Sequence, residues 1–262
     1  MNDGTETKRT VSIRIAPNSV DAETAERIRQ VFGTDVPENA EAAPLLKLDA
    51  EGLALISDGQ VLRGDFTRML PRLKQSNLSK ELLVRAARIK NPAAPLTAID
   101  ATAGLGEDSL LLAAAGFQVT LYERNPILFA LLRDALRRAA EQPGLAEPAA
   151  RMRIVCGDSI QAMNTLDAPP DVILLDPMFP ARQKSALVKK KLQVIQRLEL
   201  PCGDEEELIL AAMNAKPQKL VIKRPPKGPY LAGRKPDYSI TGKAVRFDCI
   251  VSPYDKMQKF RS

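Results

Sequence analysis

From Leu96 to Val251 short apolar runs alternate with longer amphipathic ones, and this alternation restricts the fold more than any other feature of the chain. Ala98–Ala101, Gln118–Glu123, Arg153–Cys156, Val172–Leu175, Leu220–Lys223 and Arg246–Val251 are too short for helices and largely apolar, so they read as buried strands. Glu107–Ala115 and Pro126–Ala140 read as helices. In the second, Leu128, Leu131, Leu132, Ala135, Leu136 and Ala139 share one face, while Arg133, Asp134, Arg137 and Arg138 share the other. Asn125 can cap it, and Pro126 sits in the first turn, where its missing N–H costs nothing. Strands alternating with helices imply an α/β fold, a Rossmann-like doubly wound and mostly parallel sheet. Ligands bind such sheets at the carboxyl ends of the strands, near the point where strand order reverses.

The upstream pattern differs. Thr10–Ala16 and the runs Leu45–Asp49, Gly52–Ser57 and Gln60–Phe66 read as strands, and Asp21–Phe32 and Leu78–Ile89 as helices. This predicts a small α+β region over residues 1–95 and a Rossmann-like domain over 96–262. No apolar run approaches the roughly 18 residues of a membrane span, and the polar start Met1–Arg9 has no signal-peptide core. Three widely spaced cysteines, Cys156, Cys202 and Cys249, suit a reducing cytoplasm and make no metal pattern.

With no histidine in its 262 residues, the chain cannot build a Ser-His-Asp or Cys-His nucleophile system or a histidine-ligated zinc site. Any chemistry must run on carboxylates, lysines, backbone groups or a cofactor. The charge distribution adds a second constraint. Arg182, Lys184, Lys189, Lys190, Lys191 and Arg197 fall in one acid-free segment. Lys216, Lys219, Lys223, Arg224, Lys227, Arg234 and Lys235 fall in another. These thirteen of the 38 basic residues leave 25 against 32 acidic ones elsewhere. The concentration of positive charge points to a phosphate-bearing partner.

Four strings carry chemistry. Asp100-Ala101-Thr102-Ala103-Gly104-Leu105-Gly106-Glu107-Asp108 joins the first sheet strand to its helix, with two glycines that let backbone N–H groups approach a ligand. Ser109 stands where the dinucleotide fingerprint has its third glycine. Glu123 ends the next strand, 19 residues after Gly104, where a carboxylate can accept from ribose hydroxyls. Asp158-Ser159 follows the third strand, where an oxygen can meet an adenine amine or simply cap a helix. Asp176-Pro177-Met178-Phe179-Pro180 follows the apolar Val172-Ile173-Leu174-Leu175 and delivers a carboxylate, an imino acid and an aromatic to the sheet edge.

The order and spacing of these strings resemble class I S-adenosylmethionine-dependent methyltransferases. Asp176–Phe179 is similar to the (Asn/Asp)-Pro-Pro-(Tyr/Phe) motif of enzymes that methylate exocyclic amines. With Tyr122–Pro126, Gln183–Lys190, Lys223-Arg224-Pro225 and Arg246-Phe247-Asp248, the stretch from Leu96 to Val251 resembles the RsmJ family, which methylates a guanine N2 in small-subunit ribosomal RNA. The resemblance implies S-adenosylmethionine as cofactor, held at Glu107, Asp108, Glu123, Arg124, Asp158, Ser159 and Asp176, and the glycine turn adds Asp100, Gly104 and Gly106 to the expected cofactor site. Asp176, Pro177 and Phe179 are the expected catalytic residues, the first two accepting from the amine and the third stacking on the base. Ribosomal RNA or the small subunit is the expected partner, gripped by Arg182, Lys184, Lys189, Lys190, Lys191, Lys223 and Arg224, with no metal and no membrane. The first 45 or so residues, and Arg68–Gln75 in place of a glycine- and arginine-rich segment, depart from that pattern. A nicotinamide oxidoreductase, a DNA adenine methylase and a non-catalytic RNA-binding protein with a relic pocket are the competing readings.

Overall fold

A computed structural model describes residues 13–32, 43–90, 95–177 and 205–252. These fall into two compact units that divide between Gly64 and Asp65. The first is a four-stranded sheet in the order β1 (Arg14–Ile15), β2 (Leu45–Asp49), β3 (Gly52–Ser57), β4 (Gln60–Leu62), with the helix Ala22–Phe32. Asp21 caps that helix, its carboxylate accepting from the Thr24 N–H at 2.8 Å. Ser57 pairs with Gln60 across Asp58 and Gly59, both at positive φ, as a two-residue hairpin loop requires. The expected strand to Phe66 stops at Leu62. Asp65, at the start of the second unit, accepts from the Thr67 N–H at 2.9 Å and the Thr67 hydroxyl at 2.6 Å and so fixes a local turn.

The second unit is built on a seven-stranded sheet. Its strands are β5 (Thr97–Asp100), β6 (Gln118–Glu123), β7 (Met152–Cys156), β8 (Val172–Leu175), β9 (Lys219–Arg224), β10 (Tyr238–Thr241) and β11 (Arg246–Val251). The order is β10-β11-β9-β8-β5-β6-β7. All pairs from β9 to β7 are parallel, while β11 is antiparallel to β9 and to β10. Strand order reverses between β5 and β8, so Asp100 and Asp176 emerge on the two sides of the switch point. The edge strand β10 was not foreseen. Its side chains are mostly exposed, and Tyr238-Ser239-Ile240-Thr241 lacks the apolar run that marked the others.

Period-two alternation builds two cores from one sheet. Val172 and Leu174 join Leu110, Leu111, Leu132 and Ala135 on one face, while Ile173 and Leu175 join Leu208, Ile209 and Ala212 on the other. The segment Leu78–Ile89, expected as one helix of the N-terminal region, is instead broken. Gln75–Leu78 and Leu82–Ala87 are separate turns of helix, and Leu83, Ala86 and Ala87 lie in the core of the seven-stranded unit. Arg72 holds the break by donating to both oxygens of Glu81, each at 2.7 Å.

Candidate active site

The loop after β5 is shaped by its glycines. Gly104 and Gly106 sit at φ +54° and +77°. A Cβ on Gly106 would stand 2.7 Å from Leu132 Cδ1 and 3.3 Å from the Phe66 ring, so packing as well as backbone angle demands glycine there. A Cβ on Gly104 would meet nothing within 4 Å, so at that point the loop surface is open to a ligand. Gly106 leads into the helix Glu107–Ala114, with Glu107 and Asp108 in its first turn.

Three carboxylates frame this loop. Asp100, at the end of β5, is buried, and it accepts from the Ser109 hydroxyl at 2.6 Å and the Thr102 N–H at 3.1 Å. Burial pushes its pKa up to about 7. The Ser109 and Thr102 hydrogen bonds oppose that rise, and the nearby Asp108 and Asp176 add to it. Glu123, at the end of β6, is also buried, and it joins two loops by accepting from Gly104 N–H at 2.9 Å and Asn125 N–H at 2.8 Å. Burial raises its pKa, against the pull of those same backbone donors. Asn125 in turn caps the helix Pro126–Ala140, accepting from Ile127 N–H at 2.9 Å and Leu128 N–H at 3.3 Å.

Asp176 follows β8, where its own N–H donates to the Thr102 hydroxyl at 2.7 Å. Its Oδ2 lies 2.9 Å from the Lys223 ammonium, which also meets Asp108 Oδ2 at 2.6 Å. Burial raises the Asp176 pKa, and Lys223 pulls it back. Burial works against the Lys223 charge, yet Asp108 and Asp176 outweigh it and raise that pKa. Sheet register explains the meeting: Leu175 pairs with Ile222, so Lys223 stands level with Asp176.

Asp100, Gly104, Gly106, Asp108, Glu123 and Asp176 thus converge on one rim. Asp158 caps the helix Ser159–Met163 through Ile160 N–H at 2.7 Å, with Ser159 buried beside it. Glu107 and Arg124 are exposed at the loop ends, and Pro177 is buried. Phe179, Arg182, Lys184, Lys189, Lys190 and Lys191 lie outside the described residues. The second basic segment needs correcting, because three of its cations turn into the fold. Lys219 is buried and donates to the Ala86 carbonyl at 3.0 Å. Lys223 is engaged by the two aspartates. Arg224 is 2% exposed and donates to the Pro229 carbonyl at 3.0 Å, so it cannot reach an RNA phosphate in this arrangement. Lys216, Lys227 and Lys235 remain exposed. Thr102 and Ser109 were missed as site residues, although Ser109 had stood out for replacing a glycine.

The donor set suits S-adenosylmethionine: an open glycine turn for its chain, acids for its ribose hydroxyls, and surplus negative charge for its sulfonium. Sheet, switch point and site together define a class I S-adenosylmethionine-dependent methyltransferase. A solved SAM-dependent methyltransferase from Neisseria gonorrhoeae superposes with a TM-score of 0.69 at 31% identity, over 92% of this chain and 96% of that one. A family model described as "Putative SAM-dependent methyltransferase" matches residues 30–252. A ribosomal RNA small subunit methyltransferase J from Thioalkalivibrio sulfidiphilus is 41% identical over 92% of this chain and 98% of its own. One of the same name from Pseudomonas aeruginosa is 38% identical over 87% and 89%. The chain belongs to the ribosomal RNA small subunit methyltransferase J family, and S-adenosylmethionine is its cofactor. The match starts at residue 30, so the kinship reaches into the stretch that the sequence left without a counterpart.

Proposed function

We propose that the chain methylates the exocyclic N2 of a guanine in small-subunit ribosomal RNA. The observation that carries this reading is the Asp176-Pro177 pair at the switch point, beside the acids suited to the cofactor, in a chain whose relatives are named for that RNA. When bound, the cofactor supplies a methyl group already activated on a sulfonium. Asp100, Glu123 and the Gly104–Gly106 turn would hold it, with Glu107, Asp108, Arg124, Asp158 and Ser159 around them.

The remaining work falls to Asp176 and its neighbours. An exocyclic amine is a poor nucleophile because its lone pair is delocalised into the ring. Donating its N–H groups to the Asp176 carboxylate and the Pro177 carbonyl draws that pair out of conjugation and aims it. Alignment of this kind contributes much of the rate in group transfer. The nitrogen becomes positive as its new bond forms, so an adjacent anion stabilises the transition state. Loss of the proton from the product amine needs no histidine. Phe179, two residues beyond Pro177, would stack on the base once it leaves its helix.

Arg182, Lys184 and Lys189–Lys191 would hold flanking phosphates, together with the exposed Lys227, which follows the carboxyl end of β9. Charge reversal at Lys189, Lys190 and Lys191 is expected to weaken RNA binding at least about tenfold and to flatten its salt dependence. Cofactor affinity should stay the same; equal loss of both would remove these lysines from the RNA surface. We place the chain in the cytoplasm with its RNA. Among the described residues no helix is long and apolar enough to cross a membrane, and no acid or thiol cluster could hold a metal. Incubation with methyl-labelled cofactor and unmodified small-subunit particles, followed by nucleoside mass spectrometry, tests the reading. Label on N2-methylguanosine is expected, and label on another nucleoside, or none, would overturn it.

A further inference from the structure

Lys223 is the penultimate residue of β9, and its ammonium is engaged by two carboxylates, 2.9 Å from Asp176 Oδ2 and 2.6 Å from Asp108 Oδ2. Its side chain is only 30% exposed, so solvent screens these contacts incompletely. The charges facing Asp176 come from three directions. Lys223 and the more remote Arg224 approach from β9, Asp108 from the helix Glu107–Ala114, and Asp100 from β5. Without Lys223, Asp176 would face the like charges of Asp100 and Asp108 with Arg224 alone against them, at a site that already disfavours ionisation. A protonated Asp176 would present an O–H where the amine needs an acceptor.

The geometry points to Lys223 as a positioning residue for methyl transfer: it fixes Asp176 Oδ2, keeps that carboxylate an acceptor, and ties it to the helix carrying Asp108. This rests on the reading that Asp176 receives the amine, and it replaces the expectation that Lys223 grips phosphate.

Two measurements on wild type, Lys223→Met and Lys223→Arg test the assignment. Carbon-13 NMR of the Asp176 carboxyl in the free protein follows its ionisation without any RNA. The pH profile of methyl transfer to small-subunit particles follows its use. Lys223→Met is expected to move the Asp176 titration and the acid limb of kcat upward by at least about one pH unit. It should lower kcat about tenfold or more near neutrality, with KM for RNA changed less than about threefold. Lys223→Arg should return the limb towards wild type. An unmoved Asp176 titration in Lys223→Met overturns the proposal, and so does a loss confined to KM for RNA, which marks a phosphate contact. Should the Met variant fail to fold, Lys223→Gln, which keeps a hydrogen-bond donor without the charge, takes the same two measurements. If wild type transfers no methyl to the particles, the guanine reading falls, while the NMR titration still decides the role of Lys223.

Discussion

The two sides of the β5–β8 switch hold their carboxylates by different means. On the β5–β6 side, Asp100 and Glu123 are buried and accept from uncharged donors, the Ser109 hydroxyl and the N–H groups of Thr102, Gly104 and Asn125, with the Arg124 charge adding a weaker pull on Glu123. On the β8–β9 side, Asp176 is partly exposed and held by an ammonium. Neutral donors orient a carboxylate but compensate burial poorly, and the Asp100 pKa of about 7 records that deficit. A cation compensates more strongly. The difference matches two tasks. An acid that braces a loop or accepts from ribose hydroxyls can tolerate a raised pKa. An acid facing an amine that turns positive has to remain an anion.

The sharpest way to break this comparison is to remove one acid from each side. Asp176→Ala is expected to cut single-turnover methyl transfer by about a thousandfold or more while cofactor affinity, read by titration calorimetry, moves less than about threefold. Retained turnover would take Asp176 out of the reaction. Glu123→Ala should behave oppositely, with cofactor affinity falling at least about tenfold. It also frees the Gly104 and Asn125 N–H groups, so urea denaturation should show a loss of about 1–3 kcal/mol.

A subtler contrast lies between the two glycines. Both adopt positive φ, yet only Gly106 is crowded. Gly106→Ala should destabilise the protein by about 2–4 kcal/mol from strain plus overpacking. Gly104→Ala should cost about 1–2 kcal/mol from backbone strain alone. Equal costs would mean that Leu132 yields freely to the added methyl. The smallest effect concerns Asp100. Its folded pKa of about 7 lies above the ordinary 3.8, so between those values the folded state keeps a proton that the unfolded state has lost. Its contribution to stability is therefore full below the ordinary value and is lost as pH rises towards 7. Asp100→Asn should flatten the decline in Tm across that window, and an unchanged slope would contradict the burial of its charge.

Much of this was legible in the sequence because the signals were local. Asn125 and Pro126 set a helix start that the structure reproduces, and Val172–Leu175 could only be a strand buried on both faces. Glu123 and Asp176 could be placed at strand ends from the same pattern. Pairings between strands distant in sequence were not legible. Lys223 meets Asp108 across 115 residues, and nothing in the run Leu220-Val221-Ile222-Lys223 distinguishes a lysine that grips RNA from one turned inward. Register alone decides it. The same holds for Lys219, whose partner carbonyl on Ala86 lies 133 residues away. Charge counts therefore overstated the basic surface, since sequence records how many cations there are but not which way they point. The edge strand β10 escaped because an exposed strand carries no apolar signature.

The most direct measurement is a crystal structure of the chain with S-adenosylhomocysteine and a short RNA bearing the target guanine. The expected result places the guanine N2 within about 3.2 Å of both the Asp176 carboxylate and the Pro177 carbonyl. A base seated elsewhere on the rim, or turned so that another atom meets Asp176, would contradict it.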